Sequence, residues 1–253
     1  MSKLSIVTIN YNNKNGLEKT IESVINQTYQ DFEYIIIDGG STDGSKDIIK
    51  KYKARLTYWV SEPDNGIYHA MNKGWKQANG EYFLFLNSGD YLYSPTIINV
   101  IIPFLTDIDV LYGDTLQDFG YKKKIENYPN DYSLYNLLYT SLPHQASFIH
   151  KRILEKLDGY DESFRIISDW LLFFRGIIEL NIEFKKIKEI ISVFDMHGIS
   201  NTLPIIEEEK NSAINKYHPF ILKEFKNYKE LRYYKLSKAI KLTKNLLHLI
   251  NKK

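Results

Sequence analysis

Ten residues, Glu81-Tyr82-Phe83-Leu84-Phe85-Leu86-Asn87-Ser88-Gly89-Asp90, carry the first chemical signal. The apolar positions from Tyr82 to Leu86, bounded by Gly80 and by Ser88-Gly89, are too few for an ordinary helix and predict a buried central strand. A carboxylate follows it. At the carboxyl end of such a strand the chain opens into the crevice where α/β sheets bind ligands, so Asp90 stands where a metal, or a metal carrying phosphate, would be held. Asn-Ser-Gly-Asp is also ordinary turn chemistry. A second strand, Asp109 to Asp114, again ends in a carboxylate and aims Asp114 at the same rim. A third acidic position, Asp169, follows Ser168 and precedes the apolar run Trp170 to Phe174. On chemistry alone that pair is equally a helix N-terminal capping pattern.

The preceding elements must position these carboxylates. Leu4 to Asn10 reads as a strand, and Asn15 with Glu18 reads as a capping box for a helix through Leu17, Ile21, Val24 and Ile25. Phe32 to Asp38 is a second strand, closed by Gly39 to Ser45 and followed by a short helix through Ile48, Ile49 and Tyr52. Leu56 to Val60 is a third, leading through Ser61-Glu62-Pro63-Asp64-Asn65-Gly66 to a helix from Ile67 to Ala78. This β-α-β-α order predicts a parallel sheet, with the strand ends at Asn10, Asp38 and Ser61 gathered beside Asp90 in one crevice. No GxGxxG or GxxxxGK[ST] run follows a strand, which weighs against dinucleotide and P-loop binding. Ser94-Pro95 predicts the start of a helix through Ile97, Ile101 and Leu105, and Leu116 to Asn130 reads as a loop over the site.

Length allows one large α/β domain with an appendage: 253 residues, 43% hydrophobic and 25% charged, with 20 Tyr, 13 Phe and no Cys. Without cysteine there is neither a disulfide framework nor a thiolate metal site, and the start lacks a secretory core, so a cytoplasmic chain is expected. Lys and Arg number 33 against 31 Asp and Glu. The balance is uneven, because Phe220 to Lys253 carries about +8 and the remainder about −6. Leu236, Ala239, Ile240, Thr243, Leu247 and Ile250 share one helical stripe there, opposite Lys235, Lys238, Lys241 and Lys244. This basic amphipathic helix suits either peripheral contact with an anionic membrane or packing on the domain. Nucleic acid is a poor partner for a chain whose remainder is acidic. The abundance of Tyr and the amphipathic tail are compatible with a homodimer.

Several segments in order resemble glycosyltransferase family 2. They are Ser5 to Asn12, Ile36 to Ser45, Asp64-Asn65-Gly66 with Ala70 to Gly74, Ala78 to Asp90, Pro143-His144-Gln145, and Gly159 to Arg175. The resemblance implies a GT-A fold, meaning an α/β Rossmann-like, mostly parallel central sheet flanked by helices, with a C-terminal helical extension. It implies a catalytic domain over 1–205, made of a nucleotide-sugar half (1–100) and an acceptor half (101–205), with 206–253 as the extension. Transfer would occur from a UDP-sugar with inversion, giving a hexosyltransferase or N-acetylhexosaminyltransferase. A non-catalytic nucleotide-sugar-binding scaffold subunit and a nucleotidyltransferase are the alternatives.

Position by position, the resemblance implies donor contacts by Thr8, Asn10, Tyr11, Asn12, Asp38, Asp64, Lys73, Asn87, Ser88 and Gly89. Asp38 would read the uracil and Lys73 would face the diphosphate. Asp90, with His197 as an added ligand, would hold Mn²⁺ or Mg²⁺; the family's usual Asp-x-Asp-Asp is thinned here to Asn-Ser-Gly-Asp. Asp169 would be the base, with Ser168 replacing the usual Glu, and Asp114, His144 and Trp170 would line the acceptor. One base suffices in such a transfer, because the departing diphosphate needs charge neutralisation and no proton. A glycosidase, whose leaving oxygen must be protonated, commonly needs a carboxylate pair. The expected acceptor is a lipid-linked glycan of a surface polysaccharide such as O-antigen, built at the inner face of the cytoplasmic membrane.

Overall fold

Strands buried on both faces need cover from both sides, and the order of elements provides it. The computed structural model describes residues 2–137, 141–196 and 203–221. Strands β1 (Leu4–Asn10), β2 (Glu33–Asp38), β3 (Tyr58–Ser61) and β4 (Tyr82–Phe85) are all parallel, in the order β3-β2-β1-β4. Helix α1 (Lys14–Ile25) buries Leu17, Ile21 and Val24 in a cluster with Ile6, Tyr34 and Leu84. Helix α2 (Ser45–Tyr52) adds Ile48 and Ile49 to the same cluster. Helix α3 (Ile67–Gln77) packs on β1 and β2, close enough that a Cβ on Gly74 would overlap the Val7 side chain.

The strict β-α-β rhythm stops after β4. Strand β5 (Tyr91–Leu92) and helix α4 (Ile97–Ile101) lead to β6 (Val110–Asp118) and β7 (Lys123–Glu126). Helix α5 (Leu134–Leu137), strand β8 (Ser147–His150), helices α6 (Lys151–Leu157) and α7 (Ser168–Arg175) and strand β9 (Phe184–Asp195) follow. The sheet continues from β4 as β8-β6-β9-β5, with β7 paired to β6. Here β8 runs antiparallel to both β4 and β6, β9 is parallel to β6, and β5 is antiparallel to β9. Parallel pairing is therefore continuous through the first half, and the second half is mixed.

Several local expectations change. The cap of α1 is Asn13, whose carboxamide oxygen accepts Gly16 N–H at 3.1 Å, in place of Asn15. The helix expected through Leu105 ends at Ile101 and tightens into a 3₁₀ turn over Ile102–Phe104, where Pro103 lacks the N–H that would continue it. The stretch from Leu116, read as a loop, is in part a hairpin of β6 and β7, with Leu116 paired to Ile125. Its outer strand is mostly exposed on both faces and so shows no apolar alternation.

Asp114 sits inside this second half. It is 8% exposed, pairs with Lys186 Nζ at 2.8 Å and accepts Tyr128 N–H at 2.9 Å. The expected acceptor contact gives way to a buried ion pair, because a carboxylate taken into the sheet requires a partner. Lys186 also donates to Tyr128 O at 2.6 Å, pinning the segment after β7.

The chain divides into two compact units, Met1–Thr202 and Leu203–Lys253. The second contains α8 (Leu203–Tyr217) among its described residues. The basic amphipathic stretch and His197 lie outside the described residues. Among those described, no helix is long and apolar enough to cross a membrane.

Lys186→Met would leave Asp114 buried against one N–H. Urea denaturation should show a loss of about 3 kcal/mol, and adding Asp114→Asn should recover most of it.

Candidate active site

The carboxyl ends of β1 to β4 form one rim, and hydrogen bonds tie its loops together. Gly39 N–H donates to Asn10 O at 2.9 Å, Glu62 N–H to Asp38 O at 3.0 Å, and Ser88 N–H to Ile9 O at 3.0 Å. Asn12 N–H donates to Ser41 Oγ at 2.7 Å, and Thr42 N–H returns a bond to Asn12 Oδ1 at 2.9 Å. Asn12 adopts a left-handed φ of 48°, a conformation asparagine tolerates better than most residues.

Asp38 is fully buried, and protein donors occupy both its oxygens. Asn10 Nδ2 at 2.7 Å and Ser41 Oγ at 2.6 Å meet Oδ1, while Ser41 N–H at 3.0 Å and Ser61 Oγ at 2.7 Å meet Oδ2. The expected open base-reading edge is thus an internal brace; a uracil would reach it only by displacing one of these donors. Asn10, also buried, belongs to the brace. Thr8 lies deeper, fully buried with its hydroxyl 3.1 Å from the Tyr34 hydroxyl, so its side chain is closed off from the rim. The residues open at this end are Tyr11, 67% exposed, and Asn12. Gly39 separates Tyr11 from Asp64: a Cβ there would stand 2.6 Å from Asp64 Oδ2 and 3.2 Å from the Tyr11 ring. Lys73, expected to face the diphosphate, pairs here with Glu62 at 2.7 Å and also donates to Pro63 O at 3.3 Å.

Asp90 is held by its backbone. Thr20 Oγ1 in α1 donates to Asp90 O at 2.6 Å and accepts Gly89 N–H at 3.0 Å, while Asn13 Nδ2 donates to Ser88 O at 3.0 Å. Gly89 takes a φ of 107°, which a side chain would strain. The Asp90 carboxyl is buried and accepts Asp195 N–H at 2.9 Å from the end of β9. Burial pushes it up to about 7; the Asp195 N–H and the His144 imidazole oppose the shift, and the Asp195 carboxylate adds to it. Asp195 was missed in the sequence, although it ends a strand by the same logic that picked out Asp90.

These features fit a divalent cation shared with phosphate. A buried carboxyl driven up by desolvation and a neighbouring carboxylate favours a cation beside it, and Asp195 Oδ2 would lie 3.2 Å from a Cβ on Gly89. Among the described residues no three acidic or imidazole groups converge. A hard cation held through one or two carboxylates, with the other positions filled by diphosphate and water, is consistent with that number.

Across the rim, Asp169 lies in the first turn of α7. Its Oδ1 accepts Trp170 N–H at 2.8 Å and lies 3.1 Å from the Tyr68 hydroxyl, which also meets Ile166 O at 2.5 Å, and its Oδ2 faces His144 Nδ1 at 3.2 Å. The other imidazole nitrogen, Nε2, lies 3.0 Å from Asn87 Nδ2. A hydrogen-bonded line therefore joins the Asp90 loop to Asp169. Burial would favour the neutral imidazole, but the hydrogen bond and charge of Asp169, together with the charge of Asp90, raise the His144 value overall. Tyr68, separated from Asp169 by 101 positions, had no signal in the sequence. Trp170 points the other way, 1% exposed, donating to Leu137 O at 2.8 Å and stacked on Phe174 at 4.9 Å. It is core, and it does not line an acceptor.

The arrangement has known counterparts. Residues 5–180 match the family model described as Glycosyl transferase family 2. An uncharacterized glycosyltransferase of Mycobacterium tuberculosis is 32% identical over 204 residues, covering 78% of this chain and 77% of that protein. A PGL/p-HBAD biosynthesis glycosyltransferase of Mycobacterium bovis is 27% identical over 195 residues, covering 74% and 75%. Among solved structures, S. aureus TarS is similar with a TM-score of 0.64 at 22% identity, covering 77% of this chain; the match spans 37% of the TarS chain. The mannosyltransferase PcManGT of Pyrobaculum calidifontis, solved with GDP-Man and Mn²⁺, has a TM-score of 0.61 at 16% identity, covering 76% of this chain and 56% of its own. The structural likenesses establish the GT-A fold. The family match runs from β1 through α7 and so takes in both sides of the rim: the chain belongs to glycosyl transferase family 2 and is a glycosyltransferase.

Proposed function

We propose that this enzyme transfers a hexose or N-acetylhexosamine from a UDP-sugar to a hydroxyl of a lipid-linked glycan, with inversion, using Asp169 as the base. The observation that carries the reading is the line from Asn87 through His144 to Asp169, which joins a cation-seeking loop to a carboxylate held ready on both oxygens. Direct displacement asks for those two functions and no more: charge neutralisation for the leaving diphosphate and a proton acceptor for the attacking hydroxyl. The Asp169 side chain is 17% exposed, so an incoming hydroxyl can reach it.

A nucleotide donor is supported by the slot at Gly39, where the exposed Tyr11 ring offers a stacking surface for a flat base beside the Asp64 carboxylate. Below it, the Asp38 brace holds the loop. A solved complex of TarS 1–349 contains UDP-GlcNAc, which favours a uridine donor over the guanosine donor bound by PcManGT. Asp90 and Asp195 would hold Mg²⁺ or Mn²⁺, and such an ion, when bound, neutralises diphosphate charge. The lipid-linked acceptor and peripheral placement at the inner membrane face rest on the basic C-terminal sequence.

Asp169→Asn should leave UDP binding by calorimetry within about twofold while transfer falls about 10³-fold, inside the range of general-base contributions. Unchanged transfer would refute the assignment.

The sign of the Asp90 effect on stability follows from its raised value. Between its ordinary 3.8 and about 7 the unfolded chain releases a proton that the folded chain keeps. The contribution of this group to stability therefore declines as pH rises through that window and is fully unfavourable above about 7. Asp90→Asn should accordingly melt higher than the native protein at pH 8, with the gap closing towards pH 4. Added Mn²⁺ at pH 8 should raise the native melting temperature and leave Asp90→Asn unmoved.

A further inference from the structure

His144 was expected to line the acceptor, but both its ring nitrogens face protein groups. The residue opens a 3₁₀ turn, His144–Ala146, that Pro143 pins through two bonds: Ala146 N–H and Ser147 Oγ donate to Pro143 O at 3.1 and 2.8 Å. The base of the ring is thus fixed by backbone. Asn87 Nδ2 carries only donors, so the Nε2 it meets at 3.0 Å accepts and bears no proton. In the neutral ring the proton then sits on Nδ1 and points at Asp169 Oδ2, 3.2 Å away.

Asn87 is fixed in turn, because its carbonyl accepts Asp90 N–H at 3.0 Å in the turn that presents the Asp90 carboxyl. Its own side-chain oxygen is buried and has no hydrogen-bond partner among the described residues. The amide is therefore held chiefly by the imidazole. Asp169, for its part, receives Trp170 N–H on one oxygen and His144 on the other, with the Tyr68 hydroxyl beside the first. Turning the carboxylate would break bonds at both ends.

We propose that His144 is a positioning residue, an imidazole that locks the Asp169 carboxylate and makes its setting depend on the diphosphate-side loop through Asn87. This rests on the reading of Asp169 as the base.

Two substitutions separate the two arms of the ring. In His144→Asn the amide nitrogen falls near the position of Nδ1 and keeps the bond to Asp169; in His144→Gln the amide oxygen falls near Nε2 and keeps only the bond from Asn87. Both are assayed by release of UDP with the UDP-sugar that the native full-length protein hydrolyses fastest. His144→Gln should lower kcat about 10- to 100-fold with KM for the donor within about twofold, and His144→Asn should recover kcat to within about fivefold of native. In ¹⁵N-labelled native protein, the imidazole signal lost in His144→Gln should be that of a ring protonated at Nδ1. A native kcat in His144→Gln, an effect confined to KM, or an unprotonated Nδ1 would each overturn the proposal. Asp169→Asn serves as the control: if it still turns over donor at the native rate, the base reading itself has failed, and the tautomer measurement still judges the contact.

Discussion

A carboxylate taken into an apolar sheet must find donors or a positive charge, or else keep its proton. Among its described residues this fold buries three aspartates at the ends or middles of its strands and meets each differently. Asp38 is surrounded by four protein donors from Asn10, Ser41 and Ser61. Asp114 faces Lys186. Asp90 receives Asp195 N–H against a neighbouring carboxylate, and burial pushes it up to about 7. The first two are complete within the chain and serve as braces. The third has no such complete set among the described residues, and the proposed cation would supply what it lacks.

The same contrast explains what the sequence could say. Short apolar strands ending in carboxylates were legible because the sheet's period and the crevice rule act locally, so β1 to β4 and the rim could be read directly. The partner of each carboxylate was not legible. Lys186 meets Asp114 through a pairing of β6 with β9, and nothing near either residue announces it. Trp170 shows the converse failure: adjacency to Asp169 suggested the site, but successive residues of a helix face different ways, and this one turns inward onto Phe174. Thr8 failed for a related reason. A strand covered on both faces shows no alternation to separate a rim position from a core one.

The two sides of the rim are built differently. On the donor side, adjacent parallel strands joined by helices bring Asn10, Asp38 and Asp90 together, and a family resemblance in consecutive motifs follows that order. On the other side, Asp169, His144 and Tyr68 come from α7, a 3₁₀ turn and α3, and only packing unites them. Sequence reasoning accordingly found the donor side as a unit and the other side as isolated residues.

The pairing of β5 with β9 has a consequence for how the enzyme comes into being. Tyr91 and Leu92 find their partners at Val193 and Ser192, about a hundred positions later, and the Asp90 carboxyl receives its N–H from Asp195 at the same junction. Contacts so distant in the chain form late, since loop closure must precede them. A nascent chain that has released β1 to β4 from the ribosome can assemble the loops around Gly39, but the Asp90 carboxyl receives its N–H only when the last strand of the sheet emerges. The two ends of the rim are thus separated in time during synthesis, with the second waiting for the whole sheet.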